Sequence, residues 1–144
     1  MFPKVVAIIL NWNNAPDTLA CIESLGQSDY PALTVLVVDN ASDDDSVEVI
    51  HTTYPQTPIL ETGANLGYTG GNNAGIRWAL DQDAEWIFIL NNDTTQAPNC
   101  IRQMVAQEEA NPTAGIIGPT VYHANRPNVI QSAGGMIDYR WWFS

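Results

Sequence analysis

The sequence predicts an α/β protein: a mostly parallel sheet with helices packed on both faces. Three features carry that expectation. Short continuous apolar runs rich in β-branched residues, such as Val5–Leu10 and Leu33–Val38, mark strands buried on both faces. Segments with apolar residues at helical spacing separate those runs, and such alternation implies right-handed crossovers into a parallel sheet. A length of 144 residues with a hydrophobic share of 45% is enough for one domain with a sizeable core.

Val5–Leu10 reads as the first strand. In NNAPDTLACIESLGQS, Asn14 caps a helix, Pro16 occupies its first turn, and Leu19, Ile22 and Leu25 form the apolar stripe. Pro31 breaks the chain before the second strand, Leu33–Val38. DNASDDDSVEVIHTTY starts the next helix with its acids at the N-terminal end, where the macrodipole favours them. Ile59 and Leu60 make a short third strand. TGANLGYTGGNNAG reads as a glycine- and asparagine-rich loop leading into a helix from about Asn73 to Leu80. Trp86–Leu90 is the fourth strand, Ile101–Glu108 a further helix, and Ile116 and Ile117 open a fifth strand; Trp78 and Trp86 are assigned to the core. The closing GGMIDYRWWFS gathers Trp141, Trp142 and Phe143. It reads as the place where a larger protein continued, and as a contact between copies of the chain.

A net charge of −11 with five basic residues, Lys4, Arg77, Arg102, Arg126 and Arg140, argues against nucleic acid as a partner. Any phosphate ligand then depends on backbone N–H groups, helix N-termini or a metal. No run approaches the roughly 20 apolar residues of a membrane-spanning helix, and no signal-peptide pattern opens the chain. Cys21 and Cys100 read as core residues of a reducing compartment, which suggests a cytoplasmic protein. His51 and His123 stand apart from each other and from the cysteines, so a His/Cys metal site is not expected.

Polar residues recur at four successive strand ends: Asn11-Trp12-Asn13, Asp39-Asn40, the stretch Asn65 to Asn73, and Asn91-Asn92-Asp93. Ligands of open α/β sheets sit at the carboxyl ends of strands. Each group alone is a weak signal, because βα turns favour Asn, Asp and Gly for backbone reasons. Together they would line one rim. A Walker-type phosphate loop is absent, and so is the G-x-G-x-x-G of dinucleotide folds.

VVAIILNWNN, VLVVDNASDD, NLGYTGGNNAG and FILNNDT, in this order, resemble family 2 glycosyltransferases of the GT-A fold, a Rossmann-like sheet. Within that family they look like the branch of rhamnosyltransferases and related cell-envelope sugar transferases. The resemblance implies that residues 1–144 form a nucleotide-sugar-binding domain without its acceptor-binding part. It implies roles as well. Asp39 would accept from a pyrimidine N3–H of a UDP- or dTDP-linked donor, with Trp12 beside the base and Asn11 among the nucleotide contacts. Asn65, Gly67, Gly71 and Asn72 would close around the nucleotide and its diphosphate. Asn91 and Asn92 would bond ribose or water, and Asp93 would bind Mg²⁺ or Mn²⁺ carried by the diphosphate. A single carboxylate suffices where substrate phosphates supply the other oxygens. The departure from D-x-D implies that metal binds together with the donor rather than alone.

The implied reaction is inverting transfer to a hydroxyl of a saccharide or lipid-linked acceptor. The full-length protein would work at the inner face of the membrane. Its general base is expected beyond residue 144, since Asp138 is the only acid after Ile130 and lies in the wrong context. Plainer roles compete for the same residues: Asp39 and Asn40 as a helix cap, Trp12 as core, the glycines and Asp93 as turn residues. The rival functions are a non-catalytic nucleotide-sugar binding module and a nucleotidyltransferase. The second would want a basic loop after strand one, where NWNNAPD has no Lys or Arg.

Overall fold

A computed structural model describes residues 2–134. The chain divides into two compact units, Met1–Ile101 and Arg102–Ser144. The first contains β1 (Val5–Asn11), α1 (Ala15–Gly26), β2 (Leu33–Asp39), α2 (Ser46–Thr53), β3 (Ile59–Glu61), α3 (Gly67–Asp81) and β4 (Trp86–Asn91). Its four strands form one parallel sheet in the order β3-β2-β1-β4. The expected α/β architecture is therefore present. The order turns back between β1 and β4, and such switch points are where open sheets take ligands.

Strand alternation sorts the core into two faces. Val6, Ile8 and Leu10 of β1 pair with Thr34, Leu36 and Val38 of β2. Val6, Ile8, Leu36 and Val38 pack with Ala79 of α3, against which Leu10, Ile76 and Trp78 also lie. The α3 face is tight: a Cβ on Gly75 would come within 2.9 Å of Val38 Cγ2 and 2.8 Å of Ile8 Cγ2, and one on Gly71 would strike Leu10 Cδ1. The alternate residues, Val5, Ala7, Ile9 and Asn11 with Val37 and Asp39, turn to the opposite face, where Thr18 of α1 meets Asn11.

Three expectations need correction. The glycine-rich stretch is not a loop up to Asn73, because α3 begins at Gly67. Its glycines are the face that lets the helix approach the sheet, so packing outweighs their poor helix propensity. Asn14 stands at the N-cap of α1 without a side-chain cap bond, and its amide donates to Asp17 Oδ2 at 2.8 Å instead. No strand forms at Ile116 and Ile117, and Ile116 is 94% exposed. Gly115, Gly118 and Pro119 punctuate that segment, and two apolar residues are too few to outweigh them.

In the second unit β5 (Val121–His123) and β6 (Arg126–Ser132) pair antiparallel, with His123 opposite Arg126 and shifts of register beyond. α4 (Cys100–Ala110) starts at the end of the first unit. Asp138, Trp141, Trp142 and Phe143, and with them the expected contact between copies, lie outside the described residues. Among the described residues no helix is long and apolar enough to cross a membrane.

Candidate functional site

Each strand runs one residue further than its apolar run, so Asn11, Asp39 and Asn91 are the last residues of β1, β2 and β4. Parallel register sets Asn11 beside Asp39 and Leu10 beside Asn91. The polar strand ends thus form one rim in space, at the switch between β1 and β4.

Asp39 is 2% exposed, and its carboxylate is held from three directions. Oδ1 accepts from Asn11 Nδ2 at 2.9 Å and Ser42 Oγ at 2.6 Å, and Oδ2 accepts from the Ser42 N–H at 2.9 Å. Oδ1 is thereby filled, while one lone-pair position of Oδ2 is unclaimed. Asn11, expected among the nucleotide contacts, is fully buried. Its amide is taken up by Asp39, Ser42 and Thr18. It braces the rim from below rather than facing a ligand.

Asn40, one residue on, turns to the α3 face and serves a different helix from the one expected. Its Oδ1 accepts from the Leu66 N–H at 3.0 Å, and its Nδ2 donates to Asn65 Oδ1 at 3.0 Å. Asn65 Oδ1 in turn accepts from the Gly67 N–H at 2.9 Å. Two side chains thus satisfy the entry to α3, whose first turn holds no acid. Gly67, with φ of +68°, needs the left-handed region that glycine tolerates. Asn72, an expected diphosphate residue, is 5% exposed and donates back to the Tyr68 carbonyl at 2.9 Å. Its neighbour Asn73 is the exposed one. Gly71 is buried under Leu10 and Asn40, so its first role is packing.

Trp12 is 55% exposed, against the reading of it as core. Sequence inspection overlooked what anchors its loop. Asn13, at φ +52°, exchanges two hydrogen bonds with Asp43: Nδ2 to Asp43 Oδ1 at 2.6 Å, and the Asp43 N–H to Asn13 Oδ1 at 2.9 Å. The Asn13 N–H also donates to Ser42 Oγ at 2.9 Å. A large indole is thus held on a rigid loop without being covered. Ser42 and Thr18 escaped notice too, because hydroxyls in loops and helices carry no sequence signal of their own. Tyr68 and Leu66, both exposed at the start of α3, complete the apolar part of the rim.

After β4, Thr94 closes a turn onto the Asn91 carbonyl through its N–H and its hydroxyl. Asn92 is half-buried, while Asn91 and Asp93 are exposed. Cys21 lies beneath, with Sγ 3.9 Å from the Asn91 carbonyl. Burial pushes its thiol up to about 12, the hydrogen bond with Thr94 opposing and the Asp93 charge adding. Cys21 and Cys100 are both free thiols.

Among the described residues no three His, Cys, Asp or Glu side chains are grouped to hold a metal ion. The turn offers one exposed carboxylate with amide neighbours. That set does not fit a resident all-protein site, but it fits a hard cation that arrives with phosphate oxygens. Positive charge is scarce nearby. The first unit has only Lys4, at the opposite end of β1, and Arg77, about 15 Å along α3 from its first turn at 1.5 Å per residue. A hollow along α2 and edge strand β3 is lined by Asp44, Asp45, Glu48 and Glu61, the wrong sign for a diphosphate.

Known proteins are similar to this chain in sequence and in fold. The N-acetylglucosaminyl-diphospho-decaprenol L-rhamnosyltransferase of Mycobacterium tuberculosis (strain ATCC 25618 / H37Rv) is 27% identical over 126 residues, covering 79% of this chain and 40% of that protein. The low-salt glycan biosynthesis hexosyltransferase Agl10 of Haloferax volcanii is 29% identical over 127 residues, covering 84% and 38%. Among solved structures, the mannosyltransferase PcManGT from Pyrobaculum calidifontis, in complex with GDP-Man and Mn²⁺, superposes with a TM-score of 0.69 at 28% identity, covering 80% of this chain and 34% of that one. S. aureus TarS 1–349 with UDP-GlcNAc shares the fold, at a TM-score of 0.64 and 18% identity over 83% of this chain and 37% of that one. The chain thus spans about 40% of the length of the curated rhamnosyltransferase it matches. Residues 6–143 match the pattern of glycosyl transferase family 2, and with the GT-A sheet and its rim in place the chain belongs to that family.

Proposed function

We propose that this chain is the donor-binding part of an inverting glycosyltransferase. It takes a nucleoside-diphosphate sugar together with Mg²⁺ or Mn²⁺, for transfer to an acceptor hydroxyl in cell-envelope polysaccharide synthesis at the cytoplasmic face of the membrane. The observation that carries the reading is the pairing of a braced Asp39 with an uncovered Trp12 on one rim. The unclaimed lone pair of Asp39 Oδ2 suits a single N–H donor, and the indole offers a stacking face. Asn65, Gly67 and the start of α3 would receive the diphosphate, with the backbone N–H groups that follow Gly67 in place of basic side chains. Asn91 and Asn92 add polar contacts without adding charge. Asp93 would hold the cation, which when bound neutralises the departing diphosphate. No carboxylate of the rim is assigned as the base that deprotonates the acceptor.

A pyrimidine is the base this rim suits, because uracil and thymine present one N3–H to a carboxylate. Guanine offers an N–H as well, and the relative from Pyrobaculum calidifontis was solved with GDP-Man, so GDP is the informative competitor. Calorimetry with UDP, dTDP, GDP and ADP, each in Mn²⁺ and in EDTA, tests the assignment. Expected are tighter binding of the pyrimidine diphosphates, quenching of Trp fluorescence, and weaker binding in EDTA. Equal affinity for all four would remove the base assignment, and indifference to EDTA would remove the cation from Asp93.

A further inference from the structure

One hydrogen-bonded path joins the base side of the rim to the cation side, and it passes through a residue with no expected part in binding. Asp39 Oδ1 accepts from Asn11 Nδ2 at 2.9 Å. Asn11 Oδ1 accepts from Thr18 Oγ1 at 2.7 Å, and Thr18 Oγ1 accepts from Asn92 Nδ2 at 3.2 Å. Asn92 directly precedes Asp93. Asn11, Thr18 and Asp39 are each at most 2% exposed, so water does not substitute for the links among these three.

The direction of the path is fixed by chemistry. A carboxylate only accepts, so the Asn11 amide must turn its NH₂ to Asp39 and its oxygen to Thr18. The second Nδ2 proton goes to Ser42 Oγ at 3.1 Å. Thr18 has one proton, drawn to Asn11 Oδ1 in preference to the Asn14 carbonyl at 3.0 Å. The segment after β4 closes on itself through Thr94 and the Asn91 carbonyl, and meets α1 through Cys21 Sγ at that carbonyl and through Gln96, whose N–H and Nε2 each lie 3.3 Å from Ser24 Oγ. The Asn92 amide, which also reaches the Asn14 carbonyl at 3.4 Å, ties that turn to α1.

We propose that Thr18 is a positioning residue that couples the Asp39 rim to the Asp93 turn, so that nucleotide and cation bind cooperatively. The inference rests on the donor-binding reading above. Because the Thr18 hydroxyl is bonded toward both Asn11 and Asn92, a ligand that fixes either end of the path leaves less to be ordered at the other. The Asn92 tether then holds Asp93 where a diphosphate-bound cation meets it. Coupling of this kind is reciprocal, so the cation improves nucleotide affinity by the factor the nucleotide improves cation affinity.

The test uses the full chain and compares Thr18→Val, which keeps shape and loses the hydroxyl, with Thr18→Ser, which keeps the hydroxyl. Dissociation constants for UDP and for GDP are measured in EDTA and in saturating Mn²⁺, and their ratio is the cation enhancement. Wild type and Thr18→Ser should share one enhancement. In Thr18→Val it should fall about 3- to 10-fold, the range for losing a buried hydrogen bond, with a smaller change in EDTA. Asn92→Ala breaks the path from the half-buried side and should lower the enhancement likewise, which decides the matter if Thr18→Val does not fold. Full enhancement in Thr18→Val, or in Asn92→Ala where Thr18→Val does not fold, overturns the coupling while leaving the donor-binding reading intact. Failure of wild type to bind either nucleotide overturns both.

Discussion

Asp39 and Asp93 are both acids at strand ends, yet the structure gives them opposite surroundings. Asp39 is buried in a network and Asp93 stands exposed on a turn. Substitution should separate them. Asp39→Ala leaves Asn11 and Ser42 without their acceptor, so it should lower stability by about 1–3 kcal/mol, and nucleotide affinity by about 1.5–3 kcal/mol. Asp93→Ala should leave the urea midpoint close to wild type, within about 0.5 kcal/mol, and abolish the effect of EDTA on nucleotide binding. A stability loss at Asp93 equal to that at Asp39 would contradict the geometry. Cys21 allows an independent check. Its raised thiol pKa means the unfolded chain loses this proton first, at about 9, and the folded chain only near 12. Its contribution to stability is therefore complete below pH 9 and declines as pH rises from 9 toward 12. At pH 8 Cys21 should resist a disulfide reagent until urea unfolds the chain. The identity of the polar residues was legible in the sequence. Which of them face outward was not, because that depends on each strand ending one residue later than its apolar run.

At the scale of elements, α3 shows where pattern and packing part company. Its glycines have the composition of a loop, and only the sheet beneath explains a helix from Gly67 onward. Gly71 and Gly75 stand four residues apart on one helix face, against Leu10 and against Ile8 and Val38. Gly75→Ala should cost about 1–3 kcal/mol through overpacking. Gly26, at the end of α1 with open space around it, is the matched control. Gly26→Ala should be neutral or stabilising, by up to about 1 kcal/mol, when both are compared by urea denaturation. At the start of α2, the Ser46 side chain and N–H beside it hold the Asp44 carboxyl below its usual range, the N–H donating to Oδ1 at 3.0 Å. That contribution is present at neutral pH and disappears as acid protonates Asp44 through its lowered folded value. The strands β1, β2 and β4 were legible because continuous β-branched runs are unambiguous. Ile116 and Ile117 have the same chemistry in a run too short to decide anything.

For the whole molecule, the order β3-β2-β1-β4 gathers residues from four separate stretches of chain at one end of one sheet. The sheet class followed from alternation of patterns, whereas the order, and with it the neighbourhood of Asn11 and Asn91, is a property of long-range pairing that local sequence does not encode. The acidity of the molecule also acts at this scale. With −11 charges overall, the field repels a diphosphate until a cation accompanies it. Donor binding in Mn²⁺ should therefore weaken less with added salt than a lysine-based phosphate site would, a contrast that titrations at 50 and 500 mM NaCl will measure.

The alternation of β2 has a further consequence, for the genetics of the protein. Asp39 and Asn40 work on opposite faces of the sheet, the first toward α1 and the second toward α3. Loss of a single codon inside β2 would exchange the two faces and turn every later side chain of the strand the wrong way. Loss of two adjacent codons would restore the facing and shorten the strand by one pleat. In a library of in-frame deletions across residues 33–38, survivors should be found among the paired losses and be missing among the single ones.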